Sequence, residues 1–376
     1  MTTKIVLGIE TSCDDTSIAL IKGYSDDINS PPTLLAHNSF SQEQLLDKWG
    51  GVVPEIAARN HLAKLVPLLE KTFSDAGVTP SEVNLIGVTT HPGLLGPLLT
   101  GLNGAKSLAL FHKTPIRPVN HLYAHLEAIH LTKTVGYPYI GLLVSGGHSL
   151  YMLVHGPDSF EILGTTLDDA AGEAFDKGGK ILGLGYPAGR IIDDLSQEGD
   201  PKRFKFPIGL ENSANANLSY SGVKTALRQF IEQNPQYSCE GLSKESYPEE
   251  IHDICASYQH AIVSALKLKL KYAIRLADEK VGSKTLPIIV GGGVACNSYL
   301  RKVLTESYRD VFFVNPKFCT DNGAMIANLA FRTNDQAISY PECLTLDARG
   351  RFITKKEKLD IAKKSKLEQK KQGKRP

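Results

Sequence analysis

The spacing of apolar residues changes repeatedly along the chain, and each change marks an element. Lys4–Ile9 carries Ile5, Val6, Leu7 and Ile9 almost without interruption, which predicts a short buried strand. Ser17–Ile21 predicts a second strand, with the polar stretch Thr11–Thr16 as the hairpin turn between them. After a Pro/Ser-rich loop at Ser30–Pro32, residues 54–76 place Ile56, Leu62, Leu65, Leu68 and Leu69 at helical spacing. Leu85–Thr89 reads as a strand ended by His91-Pro92-Gly93, and 98–111 as a helix. The second half repeats this order. Tyr139–Val144 and Ser149–Val154 predict strands around Ser145-Gly146-Gly147-His148, with helices over 170–182, 221–233 and 249–279. An apolar strand at Leu286–Val290 then runs into Gly291–Asn297 and a helix, and Asn322–Arg332 gives a last helix.

Two hairpins with polar turns, each followed by α/β units, predict a duplicated α/β fold of two lobes. The expected boundaries are 1–118 for the first lobe, completed by a helix within 322–340, and 119–321 for the second. A chain of 376 residues, 42% hydrophobic and 22% charged, suits two soluble domains of ordinary size. Net charge is only +2 but uneven. Residues 351–376 hold 11 Lys/Arg against 3 Asp/Glu, leaving 31 basic and 37 acidic side chains elsewhere. The body is mildly acidic, and the lysine-rich tail predicts disorder or a frayed helix. The six cysteines lack C-x-x-C spacing, which argues against a zinc ribbon or disulfide framework and fits a reducing, cytoplasmic setting. Neither a secretory signal nor a run of roughly 20 apolar residues is evident, so no membrane association is expected.

Candidate chemistry centres on His121-Leu122-Tyr123-Ala124-His125. Asn120 can cap a helix start there, placing both imidazoles on one face, close enough to share a divalent metal. Two ordinary histidines remain the alternative. The zinc-protease spacing H-E-x-x-H needs a glutamate where Leu122 stands, which removes the peptidase reading. Asp321, before the last helix, is either a plain N-cap or a third, hard-oxygen ligand. The turn Gly8–Thr16 combines amides, hydroxyls and three carboxylates. It reads as an ordinary polar turn or as a phosphate cradle completed by a cation. Ser145–His148 offers bare amides to an anion, its glycines permitting positive φ, and Gly291–Asn297 is a strand–glycine–helix junction that favours a nucleotide. Neither matches G-x-G-x-x-G or a P-loop. Asp176, on a carboxylate-rich helix start, either contacts a substrate hydroxyl or amine or faces solvent.

Together the strings GIETSCDDT, GGVVPEIAARNH, NHLYAHLEA, LLVSGGHS, LDDAAGEAFDKGGKILGL, GGGVACN and CTDNGAMIA, running in order from Gly8 to Ala327, resemble the threonylcarbamoyl-adenosine transferase family, bacterial TsaD and its archaeal and eukaryotic relatives. The resemblance implies an actin/sugar-kinase/Hsp70-like (ASKHA) fold. It implies transfer of threonylcarbamoyl from threonylcarbamoyl-AMP to N6 of the adenosine 3′ of the anticodon in tRNAs reading ANN codons. It assigns metal ligands to His121, His125 and Asp321, the metal usually being iron (Fe2+) and sometimes zinc (Zn2+). Substrate contacts fall on Val144, Ser145, Gly146, Gly147, His148, Asp176, Gly189 and Asn297. Asp14 or His148 is the candidate proton acceptor. Expected partners are tRNA, a TsaB-like paralogue and a TsaE-like P-loop ATPase. Two departures stand out: Gly185 replaces an aspartate, and Ala188 a glycine, in the family's GLDYPGG. The competing readings are an ATP-dependent small-molecule kinase and a nucleotide-binding scaffold of the same fold. Both leave the histidine pair without a role.

An acidic body needs a basic element to grip tRNA phosphates. Deleting Lys355–Pro376 is therefore expected to weaken tRNA binding and flatten its salt dependence, measured as affinity across a salt series.

Overall fold

The computed structural model describes residues 2–24, 27–28, 30–42, 45, 52–282 and 285–351. The basic tail beyond Arg351, and Gly50-Gly51 of the second family string, lie outside them. The described residues form two five-stranded sheets. The first uses β1 (Thr3–Glu10), β2 (Asp15–Tyr24), β3 (Thr33–Ser41), β4 (Leu85–His91) and β5 (Ile116–Asn120), in the order β3-β2-β1-β4-β5. The second uses β6 (Tyr139–Val144), β7 (Ser149–Gly156), β8 (Ser159–Thr165), β9 (Ile288–Gly291) and β10 (Val311–Phe313), in the order β10-β9-β6-β7-β8. Read from the other edge, the second sheet repeats the first. Each opens with an antiparallel hairpin, β1–β2 or β6–β7, and continues through parallel pairs, β1–β4 and β4–β5 or β6–β9 and β9–β10. The expected duplication is present.

Helices α1 (Pro54–Ala76), α2 (Leu95–His112) and α3 (His121–Glu127) belong to the first half. In the second half lie α4 (Ala171–Leu182), α5 (Ala188–Ser196), α6 (Ser221–Gln233), α7 (Ile251–Val281) and α8 (Ser298–Ser307), and α9 (Gly323–Arg332) follows. The alternation along β1 decides which helices cover which face. Leu7 and Ile9 join Ile18 and Leu20 of β2 in a cluster with Leu65, Leu69 and Phe73 of α1 and Leu102, Ala105 and Ala109 of α2. Each of the Leu, Ile and Phe side chains contributes about 1.5–3 kcal/mol by leaving water. Gly8 points to the opposite face, where any side chain would collide with the Gly323 carbonyl oxygen and the Ala327 amide of α9. The absent Cβ lets α9 lie directly on the sheet backbone, which delivers Asp321, two residues before α9, to the end of β1.

Among the described residues the chain divides into two compact units. One runs to Tyr137 and adds His155–Ser159 and everything from Val314; the other holds Pro138–Val154 and Phe160–Phe313. The first crossing thus falls at 137/138, later than the expected 118/119, and the return at 313/314, earlier than 321/322. The cause is packing: α3 lies against α9, and α9 against β1, β2 and β4. Helix α9 ends at Arg332, where the sequence reading ends it, because Thr333 leaves helical angles (φ −119°, ψ 32°) while its hydroxyl donates to the Leu329 carbonyl at 2.7 Å. Strands β3, β5, β8 and β10 and helix α5 have no counterpart in the sequence reading.

Candidate metal centre

Asn120 starts α3 by accepting the Leu122 amide on its side-chain oxygen at 2.9 Å. One turn of helix then stacks His121 and His125, both buried, with ring planes at 84° and centroids 4.6 Å apart. Their Nε2 atoms are 3.2 Å apart. Asp321 Oδ1 lies 3.1 Å from His125 Nε2 and 3.4 Å from His121 Nε2. The structure brings the three expected ligands together; Asp321 is no plain cap, because Asn322 fills that role on the Met325 amide at 2.8 Å.

The triangle has the size of a coordination face. Ligands about 2.05 Å from a metal are separated by about 2.9 Å at right angles and about 3.3 Å at tetrahedral angles, and edges of 3.1–3.4 Å lie toward the tetrahedral end. Glu10 fixes the first corner. Its Oε2 sits 3.1 Å from His121 Nδ1, and its two oxygens also accept the Thr89 hydroxyl and the Ser12 amide, each at 2.5 Å. With a proton on Nδ1 donated to Glu10, His121 turns the lone pair of Nε2 toward His125 and Asp321, the carboxylate–histidine arrangement that supports metal ligands. A lone pair converging with a second imidazole and a carboxylate oxygen repels unless a cation or a proton intervenes. Without metal a proton takes that place: burial disfavours the charged ring, but Asp321 and Glu10 outweigh it and raise the His121 pKa to about 9. The donor set fits a divalent metal. Glu10 escaped the sequence reading as an individual site residue, although a carboxylate closing a wholly apolar strand was the available signal.

The turn after Glu10 is braced from α1. His61 Nε2 donates to the Cys13 carbonyl at 3.0 Å and its Nδ1 accepts the Thr16 hydroxyl at 2.8 Å, and burial lowers its pKa, keeping it neutral. Asp14 and Asp15 on this turn are both pushed upward, by burial first and by the Asp321 charge second, and Asp15 reaches about 8.

The remaining expected residues lie in the second unit. Val144 ends β6, and Ser145–His148 closes the hairpin with a Ser145 amide to His148 carbonyl bond of 2.8 Å. Gly146 and Gly147 are exposed, keep φ outside the left-handed region, and have open space where a Cβ would sit. Positive φ is therefore not their reason, contrary to expectation; what glycine supplies is unobstructed amides. Asp176 is not solvent-facing decoration: it accepts the Ala188 amide at 2.9 Å and the Gly189 amide, capping α5 and joining two expected substrate residues. Asn297 caps α8 through Leu300 N at 2.8 Å and donates to Gln259 Oε1 at 2.5 Å. Gly185 has φ +89°, a conformation an aspartate would resist, and Ala188 is buried against Gly179.

The chain is similar to known proteins over most of its length. The family profile described as TsaD: tRNA N6-adenosine threonylcarbamoyltransferase matches residues 33–328. A tRNA N6-adenosine threonylcarbamoyltransferase of Anaeromyxobacter sp. (strain Fw109-5) is 43% identical over 86% of this chain and 92% of its own length. One from Brachyspira hyodysenteriae is 41% identical over 93% and 97%. Among solved structures, full-length HypF in a phosphate- and nucleotide-bound form superposes with a TM-score of 0.52 at 15% identity, over 88% of this chain and 46% of HypF. That likeness shows the ASKHA fold alone.

Two outcomes follow from the geometry. Glu10→Gln is expected to keep the fold while weakening Zn2+ binding by roughly tenfold or more, read by competition with a chelator. In metal-free protein Asp15 binds its proton up to about pH 8 when folded but only to about pH 4 when unfolded. The unfolded chain thus holds fewer protons between these values, and the Asp15 contribution to stability falls as pH rises through that window. Asp15→Asn is expected to match the parent protein near pH 4 and to exceed it near pH 8, measured by denaturant midpoints.

Proposed function

This chain belongs to the TsaD family of tRNA N6-adenosine threonylcarbamoyltransferases, and we propose that it moves threonylcarbamoyl from threonylcarbamoyl-AMP to N6 of the adenosine 3′ of the anticodon in tRNAs reading ANN codons. The observation that carries the reading is the triangle of His121 Nε2, His125 Nε2 and Asp321 Oδ1, with edges of 3.1–3.4 Å. Two imidazoles and one carboxylate with open positions suit Fe2+, and Zn2+ as the alternative. When bound, the metal supplies positive charge to stabilise phosphate or carbonyl oxygens.

The donor is a mixed anhydride, so its carbonyl is already activated and AMP is a good leaving group. No protein nucleophile is required. The adenosine amine forms the new N–C bond, the C–O bond to AMP breaks, and one proton leaves the amine. Asp14 is the proposed acceptor of that proton, with His148 as the alternative. The raised pKa of Asp14, due first to burial and then to Asp321, makes it a stronger base than an exposed carboxylate. The amides of Ser145–His148, with Val144, Asp176, Gly189 and Asn297, orient the acyl-adenylate, so that rate rests on positioning and charge. The partners proposed are a TsaB-like paralogue and a TsaE-like ATPase, and the compartment the cytoplasm. No helix among the described residues is long and apolar enough to cross a membrane. A kinase or scaffold reading of the fold leaves the buried triangle and its Glu10 brace without a task.

The test is reconstitution: the protein and its partners with tRNA, threonine, bicarbonate, ATP and the adenylate-forming enzyme, followed by digestion and mass analysis of nucleosides. His121→Ala is expected to abolish the modified nucleoside, and Asp14→Asn to slow its appearance by roughly 100-fold or more. Full product from metal-stripped His121→Ala protein would remove the metal from the mechanism.

A further inference from the structure

A second buried cluster lies at the far ends of the two helices that carry the metal ligands. Glu127, the last residue of α3, comes two positions after His125; Arg332, the last residue of α9, comes eleven after Asp321. Glu127 Oε2 accepts Arg332 Nε at 3.1 Å and the Tyr137 hydroxyl at 2.6 Å. Arg332 also donates to the Tyr137 oxygen at 3.0 Å and to the Ile28 carbonyl at 2.5 Å. One turn back on α9, Asn328 Nδ2 donates to the Glu127 backbone carbonyl at 2.8 Å. Glu127 and Arg332 are 1% and 5% exposed. Residues 328 and 332 of α9 therefore grip both the side chain and the backbone of one residue of α3.

We propose that Glu127, Arg332 and Asn328 are positioning residues for the metal centre, a clamp that sets the angle between α3 and α9 so that Asp321 meets the histidine pair. The proposal rests on the metal reading above. Helix α3 has only seven residues, far below the length at which a helix holds its own shape, so its orientation must come from tertiary contacts. Asn120 secures one end and the clamp the other. Metal–ligand distances tolerate about 0.2 Å. Helix α9 is ten residues long, or about 15 Å, so a tilt of about 1° at the clamp moves its other end by about 0.3 Å. A weak apolar contact permits such tilts; a planar guanidinium bonded at once to a buried carboxylate, a phenol oxygen and a backbone carbonyl restricts them. Stability alone does not explain the pair, since a buried ion pair is often no better than apolar residues of similar volume.

The clamp is tested with Co2+ as the probe, on full-length protein. The Glu127→Gln/Arg332→Met double variant removes both charges together and so leaves neither buried alone. It is expected to melt near the parent midpoint when metal-free, to bind Co2+ roughly 10- to 100-fold more weakly, and to show an altered visible Co2+ spectrum. Asn328→Ala, which removes only the backbone grip, is expected to move affinity in the same direction by less, and it decides the question if the double variant does not fold. Parent-like affinity and spectrum in the variants that fold overturn the clamp whatever happens to the melting midpoint. Parent protein that binds no Co2+, or binds it equally well as His121→Ala, overturns the metal reading itself and the clamp with it.

Discussion

The first unit depends on how closely α9 can lie against β1. Gly8 faces that helix and Gly323 opens it, and a side chain at either position would strike backbone of the other element. This contact is steric rather than attractive, and it admits little drift. Because α9 rests on bare backbone, Asp321 arrives where β1 ends, beside the histidine pair that β5 delivers into α3. An aspartate remote in sequence becomes a neighbour through two missing methyl groups.

Around that junction the protein concentrates more negative charge than a buried site holds unaided. Glu10, Asp14, Asp15 and Asp321 share it with two imidazoles, and the strain is visible in opposite directions. The Asp14 and Asp15 carboxyls are driven up, while Glu10 is held below its ordinary value because His121 outweighs its burial. A divalent cation held by the triangle would offset this excess of negative charge. The arrangement is a site organised around a charge to be supplied, and the neutral, doubly bonded His61 keeps the turn in place meanwhile.

The fold was legible where periodicity was long and uninterrupted. Residues 54–76 and 221–233 form helices with the bounds that their apolar spacing implies, and the polar turns fall between paired strands. Strand β3 escaped because His37, Asn38 and Ser39 break its alternation, and β10 because three residues carry too little pattern. The unit boundaries were misplaced because sequence order gives no hint that α3 packs on α9. The histidine pair and Asp321 were readable as residue types at a spacing. Glu10 was readable only as a carboxylate closing an apolar strand, and the Glu127–Arg332 pair was not readable, since its role exists only as a contact between residues 205 positions apart.

The glycines also separate by what enforces them. Gly8 and Gly323 are imposed by packing, and Gly185 by its φ of +89°. Gly146 and Gly147 are imposed by neither, since the hairpin would fold with alanine in both places. The substrate contact proposed for them is a reason of another kind. In a lineage that abandoned the reaction but retained the fold, these two positions would be free to drift, while Gly8 would stay fixed for as long as the protein folded at all.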